Sequence, residues 1–203
     1  MTTLYIVRHG QSQANATGIL QGSQIDTPLT EKGRQQASLV RQQLQSRKIF
    51  FDLVVASPLL RAAQTAAIIA PQVTTIFDNR LKEFDYGTWD GQLEKNIWQQ
   101  FPDCFDEKHN LLPGASQINH GETFSQVTFR LQELFAELVN WRPTYNILIA
   151  SHGFTIKLML NAILGINRLS SLNEPTNAGI TKIELTPQTQ TLYYFNQSLI
   201  GKI

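Results

Sequence analysis

The chain has 203 residues, of which 42% are hydrophobic and 16% are charged, and its formal net charge at pH 7 is +1. These values predict a single globular domain over residues 1–203 and give no electrostatic reason to expect nucleic acid or an anionic membrane as a partner. The lone cysteine, Cys104, excludes an intrachain disulfide and a cysteine-based metal site. We expect it to be a bystander thiol in a loop.

The N-terminal residues lack a basic region followed by a long apolar run, so the sequence predicts no secretory signal. The longest apolar stretch, residues 156–166, includes Lys157 and Asn161 and is too short to span a bilayer. We therefore expect a soluble, cytoplasmic protein.

Strand and helix patterns alternate along the chain, which predicts an α/β fold with helices on both faces of one sheet. Apolar runs rich in β-branched and aromatic residues predict strands at 4–7, 53–56, 73–77, 147–150, 181–185 and 191–195. The last two are separated by a short polar segment and are expected to form an antiparallel hairpin at one sheet edge. An exposed edge of this kind could pair two chains, so a homodimer is possible.

Four helices are predicted. The first follows the N-cap Thr30, and its apolar face consists of Ala37, Val40 and Leu44. The second begins with Ser57 as N-cap and Pro58 in the first helical position, and it ends before Pro71.

The third helix covers residues 123–141, where Thr123 and Gln126 have the spacing of a capping box. The fourth covers residues 154–164 and stops at Gly165. Between residues 102 and 121 the sequence has no helical or strand period. Because a loop of that length in a compact domain is usually functional or mobile, we interpret this segment as a lid.

Two predicted strands end in a His-Gly pair. Arg8, His9 and Gly10 follow the first strand, and His152 and Gly153 follow the fourth. In open α/β sheets, ligands bind at the carboxyl ends of the strands. If the two strands are neighbours, two imidazoles and a guanidinium meet at one crevice. This combination suits a phosphoryl group, with one histidine as the nucleophile.

Phosphoryl transfer depends mainly on positioning and on stabilising the charge of the transferred group. Arg8 and Arg61 would supply planar forks for the phosphoryl oxygens, and Arg61 also lies in the first turn of a helix, where the dipole favours anions. His9 would attack as a neutral imidazole, with its other nitrogen held by an acceptor that we expect to be a backbone carbonyl. His152 would be the second imidazole, either cationic or donating to a phosphoryl oxygen.

An alkoxide leaving group needs a proton, and Glu83 is the candidate acid, which would later act as base toward water. Its aromatic neighbours in sequence would raise its pKa by desolvation; they are Phe84, Tyr86 and Trp89. Asp85 and Glu122 are alternatives, although Glu122 could instead cap the long helix. Glu83 could also form a surface ion pair with Lys82 or Arg80, two cations that we otherwise expect to be solvated.

The remaining histidines, His109 and His120, both fall in the predicted lid and show no metal-ligand spacing with carboxylates. We expect them to be surface residues. The sequence predicts no metal and no cofactor.

These segments together resemble the histidine phosphatase superfamily, also called the phosphoglycerate mutase-like family, over nearly the whole chain. The matching motifs lie in order at residues 8–15, 28–37, 57–66, 83–91, 121–123, 151–153 and 177–181. The resemblance implies a three-layer α/β/α sandwich with a mostly parallel sheet. It also implies metal-free chemistry through a covalent phosphohistidine at His9, with Glu83 as proton donor.

The resemblance further implies a phosphate pocket built from Arg8, Arg61 and His152, with Asn15 nearby. Three further positions match the substrate pocket of the family, namely Gln21, Gly22 and Gly153. Phe154 departs from the family pattern, in which a second glycine is common, and we expect it to shape the wall of the pocket.

The family includes phosphatases and mutases. Cofactor-dependent mutases carry an insertion with paired arginines, whereas residues 93–120 here contain Lys95, Lys108 and His109 but no arginine. A site with so few cations should hold a second anionic group poorly, so water is the expected phosphoryl acceptor. We therefore favour a phosphatase acting on small phosphorylated metabolites, with a phosphoglycerate mutase as the alternative.

The aromatic residues near the predicted lid suggest a partly apolar leaving group; they are Trp89, Trp98, Phe101 and Phe105. A protein that binds phosphorylated ligands without turnover is less favoured, because the nucleophile His9 and the acid Glu83 are both present.

Overall fold

The computed structural model describes residues 1–166 and 168–199 of the chain. Its centre is a six-stranded sheet with the strand order β3-β2-β4-β1-β5-β6. The strands are β1 (Thr2–Arg8), β2 (Leu53–Ala56), β3 (Thr75–Phe77), β4 (Asn146–Ser151), β5 (Ile180–Leu185) and β6 (Gln190–Gln197). The helices are α1 (Gln13–Thr17), α2 (Glu31–Ser46), α3 (Leu60–Ile69), α4 (Glu94–Gln100), α5 (Ser116–Asn119), α6 (Phe124–Trp141) and α7 (Gly153–Leu164).

The sheet is mostly parallel, as expected. Strands β3, β2, β4 and β1 run parallel to their neighbours, whereas β5 is antiparallel to β1 and pairs with β6 in the predicted hairpin. In the β1–β4 pair, Arg8 lies opposite Ser151. The two His-Gly pairs therefore follow two neighbouring strands at the same end of the sheet. Because the strands are neighbours, both pairs lie at one crevice, as the sequence predicts. The homodimer through the β6 edge stays a prediction.

Alternating residues of β1 face two separate apolar layers. Leu4 and Ile6 pack with the apolar residues of α6 and α7, whereas Tyr5 and Val7 pack with those of α2 and α3. Each large side chain buried in this way contributes about 1.5–3 kcal/mol of transfer free energy. The result is the three-layer α/β/α arrangement that the sequence predicts.

Three predicted helix ends are confirmed. The Thr30 Oγ1 accepts a hydrogen bond from the Gly33 amide at the start of α2, at 3.1 Å. Thr123 and Gln126 form a capping box at the start of α6. At the end of α7, Gly165 adopts a left-handed conformation with φ 66°, which glycine tolerates without steric cost.

The predicted N-cap of the second helix is wrong. Helix α3 begins at Leu60, and its N-cap is Leu59 rather than Ser57. The Ser57 hydroxyl accepts from the Leu59 amide in a preceding turn, while the distant Asp26 carboxylate accepts from the Leu60 amide at 2.7 Å. The start of α3 is thus set by a residue far away in sequence. Arg61 nevertheless lies in the first turn, as predicted.

Residues 102–121 contain more structure than the sequence indicates. Short 3₁₀ helices form at Pro102–Cys104 and Pro113–Ala115, and α5 follows. Cys104 is buried in the core, so the expectation of a bystander loop thiol is wrong. Two short helices outside this segment, α1 and α4, were also not predicted. The interpretation of the segment as a lid stays a prediction.

Candidate active site

His9 is held in one orientation by its own turn. Its Nδ1 lies 2.7 Å from the Gly10 carbonyl oxygen. Because a carbonyl oxygen can only accept, Nδ1 carries the proton and Nε2 keeps its lone pair, as expected for a nucleophile. Burial, followed by the charges of Arg61 and Arg8, holds the pKa of His9 well below its ordinary value. The imidazole is therefore neutral at physiological pH.

The turn after His9 lies directly against the start of α2. A Cβ on Gly10 would come within 2.3 Å of the Gly33 carbonyl oxygen, and a Cβ on Gly33 would come within 2.1 Å of the Gln11 carbonyl oxygen. The Gly10 amide also donates to the Thr65 hydroxyl on α3 at 3.1 Å. These contacts fix the backbone that carries the nucleophile.

His152 lies beside His9, with ring centroids 5.2 Å apart. Its Nε2 is 2.8 Å from the Ser57 hydroxyl. If that hydroxyl donates to Nε2, the ring proton is on Nδ1, a buried atom for which the described residues provide no partner. Burial holds the pKa of His152 well below its ordinary value, with Arg61 adding to the effect. Of the two predicted roles, hydrogen-bond donation by a neutral ring fits the site.

Both predicted arginines are anchored by backbone carbonyls. Arg61 is fully buried and donates through Nη1 to the Ile25 carbonyl at 2.9 Å and through Nη2 to the Gly22 carbonyl at 3.0 Å. Burial lowers the pKa of Arg61 to about 10, so the guanidinium stays charged at neutral pH. Arg8 donates to the Pro175 carbonyl at 2.6 Å, and its Nη1 lies 3.5 Å from the Glu174 carboxylate.

Four buried side-chain nitrogen atoms in the described part of the chain have no hydrogen-bond partner. They are Arg8 Nε, Arg61 Nε, His152 Nδ1 and Asn119 Nδ2. An unsatisfied buried donor costs about 1–3 kcal/mol. Three of the four belong to the predicted phosphate pocket, and the oxygens of a phosphoryl group could satisfy them.

Glu83 is buried against the N-terminus of α7. Its carboxylate accepts from the Thr155 amide at 2.9 Å, the Thr155 hydroxyl at 2.8 Å and the Phe154 amide at 3.3 Å. Burial raises the pKa of Glu83, with the nearby Glu174 adding to the effect, while the hydrogen bonds and Arg61 oppose it. The predicted rise by desolvation is therefore found, and it favours the protonated form that an acid needs.

The alternative carboxyls have other partners. Asp85 accepts from the Gly87 amide and the Gln24 amide group, and Glu122 forms an ion pair with Arg130 at 3.0 Å. The long helix is capped by its capping box, so the cap suggested for Glu122 is wrong.

The surface ion pair suggested for Glu83 is also wrong, because this residue is only 6% exposed. Arg80, which we expected to be solvated, instead forms ion pairs with Asp78 at 2.6 Å and Glu137 at 2.7 Å.

The other predicted site residues support the central ones. The Gln21 and Gly22 carbonyls both accept from Arg61. The Asn15 Oδ1 accepts from the Asn177 amide group at 3.2 Å, and Asn177 in turn donates to the His9 carbonyl at 3.1 Å. A Cβ on Gly153 would come within 2.1 Å of the Glu174 carboxylate and 2.9 Å of the Arg8 guanidinium, so a side chain at this position would displace the ends of these two side chains.

Arg8 also borders a cavity of about 310 Å³ that lies next to the phosphate pocket. Its wall includes four aromatic rings, from Tyr86, Trp98, Phe105 and Phe154. Two of these, Trp98 and Phe105, were predicted near the leaving group, and Phe154 forms part of the wall as expected. Trp89 instead stacks on Phe101 in the interior, at 5.0 Å between ring centroids.

Apart from Arg8, the polar residues of this cavity are ones that the sequence analysis did not assign to a site. Glu94, Lys157 and Glu174 line it, together with Asn110 and His109. His109 is exposed, as expected, and its ring also lies 4.3 Å from that of Trp98. Lys157 had one available signal, since it is a single lysine within an apolar helix that follows the second His-Gly pair.

Residues 1–166 and 168–199 contain neither a metal cluster nor a membrane-spanning helix. No group of three or more histidine, cysteine, aspartate or glutamate side chains in these ranges is arranged to hold a metal ion. No helix in the same ranges combines the length and the apolar character needed to cross a membrane.

Comparison with known proteins gives a consistent result. The "Putative phosphoserine phosphatase 2" of Hydrogenobacter thermophilus is 33% identical over 202 residues, covering 97% of this chain and 96% of the relative. The "Probable phosphoglycerate mutase GpmB" of an Enterobacter species is 34% identical over 171 residues, covering 82% and 76%. The solved structure of Bacillus stearothermophilus YhfR matches with a TM-score of 0.86 and 30% identity, covering 98% of this chain and 100% of that one. The sequence model described as "Histidine phosphatase superfamily (branch 1)" matches residues 4–198, and the chain belongs to that family.

Proposed function

We propose that this protein is a metal-independent phosphatase of the histidine acid phosphatase type, which hydrolyses small phosphate monoesters through a covalent phosphohistidine at His9. The observation that carries the proposal is the arrangement around His9. A neutral imidazole with its Nδ1 proton fixed by Gly10 stands beside three buried nitrogen atoms, on Arg8, Arg61 and His152, that have no hydrogen-bond partner among the described residues.

In the first step, the His9 Nε2 attacks phosphorus, a P–N bond forms and the P–O bond to the leaving group breaks. Protonated Glu83 gives its proton to the departing oxygen, so the product is a neutral alcohol. Arg8, Arg61 and His152 bind the phosphoryl oxygens and stabilise their charge. In the second step, the Glu83 carboxylate takes a proton from water as the water oxygen attacks phosphorus. The P–N bond breaks, phosphate leaves and His9 is neutral again.

The charges of the adjoining cavity favour a phosphatase over a mutase. A mutase that uses a bisphosphorylated ligand must hold a second phosphoryl group beside the reacting one. Lys157 adds a cation to those counted from the sequence, but the carboxylates of Glu94 and Glu174 line the same cavity. These two negative charges would repel a second phosphoryl group, whereas they do not hinder water as the acceptor.

The first test is hydrolysis of p-nitrophenyl phosphate in the presence of EDTA. We expect release of nitrophenol by the wild type and a loss of at least ~10³-fold in kcat for His9→Asn, because the nucleophile is removed. His120→Asn is the matched control, since His120 is exposed and has a left-handed φ of 57° that asparagine tolerates. Loss of activity in EDTA would contradict the metal-independent mechanism.

The covalent step is tested by rapid quenching in alkali, where a phosphohistidine survives, followed by mass spectrometry of the peptide. We expect a phosphoryl group on His9 and none on His152. Absence of the adduct under burst conditions would overturn the covalent mechanism. Interconversion of 3- and 2-phosphoglycerate with a bisphosphoglycerate primer and without phosphate release would support the mutase instead.

A further inference from the structure

The acceptors that hold Arg61 lie on one irregular loop. Its Nη1 donates to the Ile25 carbonyl at 2.9 Å and its Nη2 to the Gly22 carbonyl at 3.0 Å, while its Nε has no partner among the described residues. Residues 21–25 form neither a helix nor a strand, so no hydrogen-bond ladder of their own fixes these carbonyls. The direction in which Arg61 presents its Nε therefore depends on what holds this loop from outside.

The carboxylate of Asp90 holds the middle of the loop. It accepts from the Gly22 amide through Oδ1 and from the Gln24 amide through Oδ2, the latter at 3.0 Å. The packing is close, since a Cβ on Gly22 would come within 2.5 Å of the Asp90 Oδ1. Gly22 thus joins Asp90 to Arg61, because its amide binds the carboxylate and its carbonyl binds the guanidinium.

The backbone on both sides of Asp90 is anchored. The preceding residue, Trp89, is 2% exposed and stacks on Phe101 in the interior. The amide of the following residue, Gly91, donates to the Leu20 carbonyl at 2.9 Å, immediately before the loop. The carboxylate is therefore presented to the loop from a fixed position, as a supporting group for a binding site must be.

The link between Asp90 and Arg61 is indirect. In the part of the chain that the structure describes, no hydrogen bond or ion pair joins the two side chains. Burial lowers the pKa of Arg61, and the charges of Glu83, Asp26 and Asp90 oppose this. An asparagine at position 90 would remove one of these charges. It would also offer only one acceptor for two backbone amides, because its NH₂ group can only donate.

We propose that Asp90 is a positioning residue for Arg61. By binding the Gly22 and Gln24 amides, it keeps the Gly22 and Ile25 carbonyls on the two Nη atoms and leaves Nε for a phosphoryl oxygen. The inference rests on the proposed function, in which Arg61 stabilises the transferred group. Because every phosphate ester shares that group, loss of the Asp90 carboxylate should weaken turnover of all esters by one factor.

Steady-state kinetics of Asp90→Asn test this proposal. We expect kcat/KM for p-nitrophenyl phosphate and for an alkyl phosphate to fall equally, by about tenfold, the lower end of what a hydrogen bond to a charged group contributes. The matched control is Asp52→Asn, because Asp52 also accepts from a backbone amide, that of Asn146 at 2.8 Å, but at the opposite end of the sheet. It should leave kcat/KM unchanged. An unchanged kcat/KM in Asp90→Asn would overturn the inference.

A double substitution separates positioning from a general loss of stability. In the background of Arg61→Lys, Asp90→Asn should reduce kcat/KM by only about twofold or less, because the side chain that it positions is gone. If the two losses multiply instead, Asp90 does not act through Arg61 and the inference fails.

Binding of inorganic phosphate, measured by calorimetry, separates this inference from the proposed function. Asp90→Asn should bind phosphate about tenfold more weakly than the wild type, whereas Asp52→Asn should bind it equally well. Because binding needs no turnover, this result supports the inference even if His9→Asn keeps its activity and the proposed covalent mechanism fails. Equal affinity of Asp90→Asn and wild type overturns the inference, while hydrolysis through His9 would leave the proposed function intact.

Hydrogen exchange of the wild type needs no variant. The Gly22 and Gln24 amides should exchange more slowly than the Ser23 amide between them, which has no acceptor among the described residues. Equal exchange of the three amides would overturn the inference, even if Asp90→Asn does not fold.

Discussion

The predicted phosphate pocket and the adjoining cavity differ in how their polar side chains are held, although Arg8 belongs to both. In the pocket, His9, Arg61 and His152 are each at most 3% exposed and are held by carbonyl or hydroxyl groups. In the cavity, Glu94 has no partner among the described residues, and Glu174 keeps 38% of its side chain exposed. Under the proposed function, the pocket is fixed before substrate arrives, whereas the carboxylate of Glu94 in the cavity stays available to the leaving group.

This difference separates chemistry from selectivity. A substitution in the pocket should affect every phosphate ester by a similar factor, since all esters share the phosphoryl group. A substitution in the cavity should have an effect that depends on the leaving group. Glu83 lies between these cases, because the need for its proton depends on how basic the leaving oxygen is.

Glu83→Gln should have the largest effect on kcat of any substitution that leaves the nucleophile in place. For an alkyl phosphate, whose leaving oxygen needs a proton, we expect kcat to fall by ~10²–10⁴-fold, the usual contribution of general acid catalysis. For p-nitrophenyl phosphate, whose leaving group departs as a stable anion, the loss should be about tenfold or less. Steady-state kinetics on both substrates test this. The control is Glu122→Gln, and a larger loss in that variant would move the acid to Glu122.

Arg61→Lys should reduce kcat/KM by ~10²–10³-fold, as loss of an oxyanion donor does. The two Nη atoms of Arg61 bind the carbonyls of Ile25 and Gly22, and its Nε has no partner among the described residues and is available to phosphate. The single Nζ of a lysine cannot occupy all three positions. The loss should be equal for phosphoserine, 3-phosphoglycerate and p-nitrophenyl phosphate. Arg80→Lys, in a surface ion-pair network, is the control. Unequal losses would mean that Arg61 also contacts the leaving group.

The pH dependence follows from two shifted groups. His9 must be neutral, and its pKa lies below the ordinary 6.5, so kcat/KM should fall only at a pH well below 6.5. Glu83 must be protonated, and its pKa lies above the ordinary 4.5, so kcat/KM should fall again on the alkaline side. The optimum is therefore expected at mildly acidic pH. After correction for substrate ionisation, Glu83→Gln should lose the alkaline limb, and its persistence would exclude Glu83 as the acid.

A substitution outside both regions should change stability alone. Thr123→Ala removes the hydroxyl that accepts from the Gln126 amide at 3.2 Å, and such a cap contributes about 1 kcal/mol. We expect the free energy of unfolding in urea to decrease by about that amount while kcat stays the same. A change in kcat without a change in stability would show that the start of α6 is coupled to the site.

Much of the pocket could be predicted because its residues follow strand ends and helix starts. Residues 8–10 and 152–153 lie where parallel strands end, so one assumption, that the strands are neighbours, brings them together. The apolar faces of α2 and α6 could likewise be predicted, because their apolar residues recur at helical spacing and so lie on one buried face of each helix.

The cavity could not be predicted in the same way. Glu94 lies on a seven-residue helix with too few turns to show a period, and Glu174 precedes β5 in an irregular segment. Lys157 looked like a break in an apolar run, and only the packed structure shows what it faces. The wrong N-cap at Ser57 has the same origin, because the Asp26 carboxylate that binds the start of α3 is remote in sequence.

The close contact between Gly10 and Gly33 has a consequence for attempts to evolve this enzyme. At each glycine the obstacle to a side chain is backbone, not another side chain, so no second substitution can make room. A library that randomises these two positions together should return only the parental pair among active clones. Under the proposed function, the diversity is better placed at positions 94, 157 and 174, which line the adjoining cavity and leave the turn that carries His9 undisturbed.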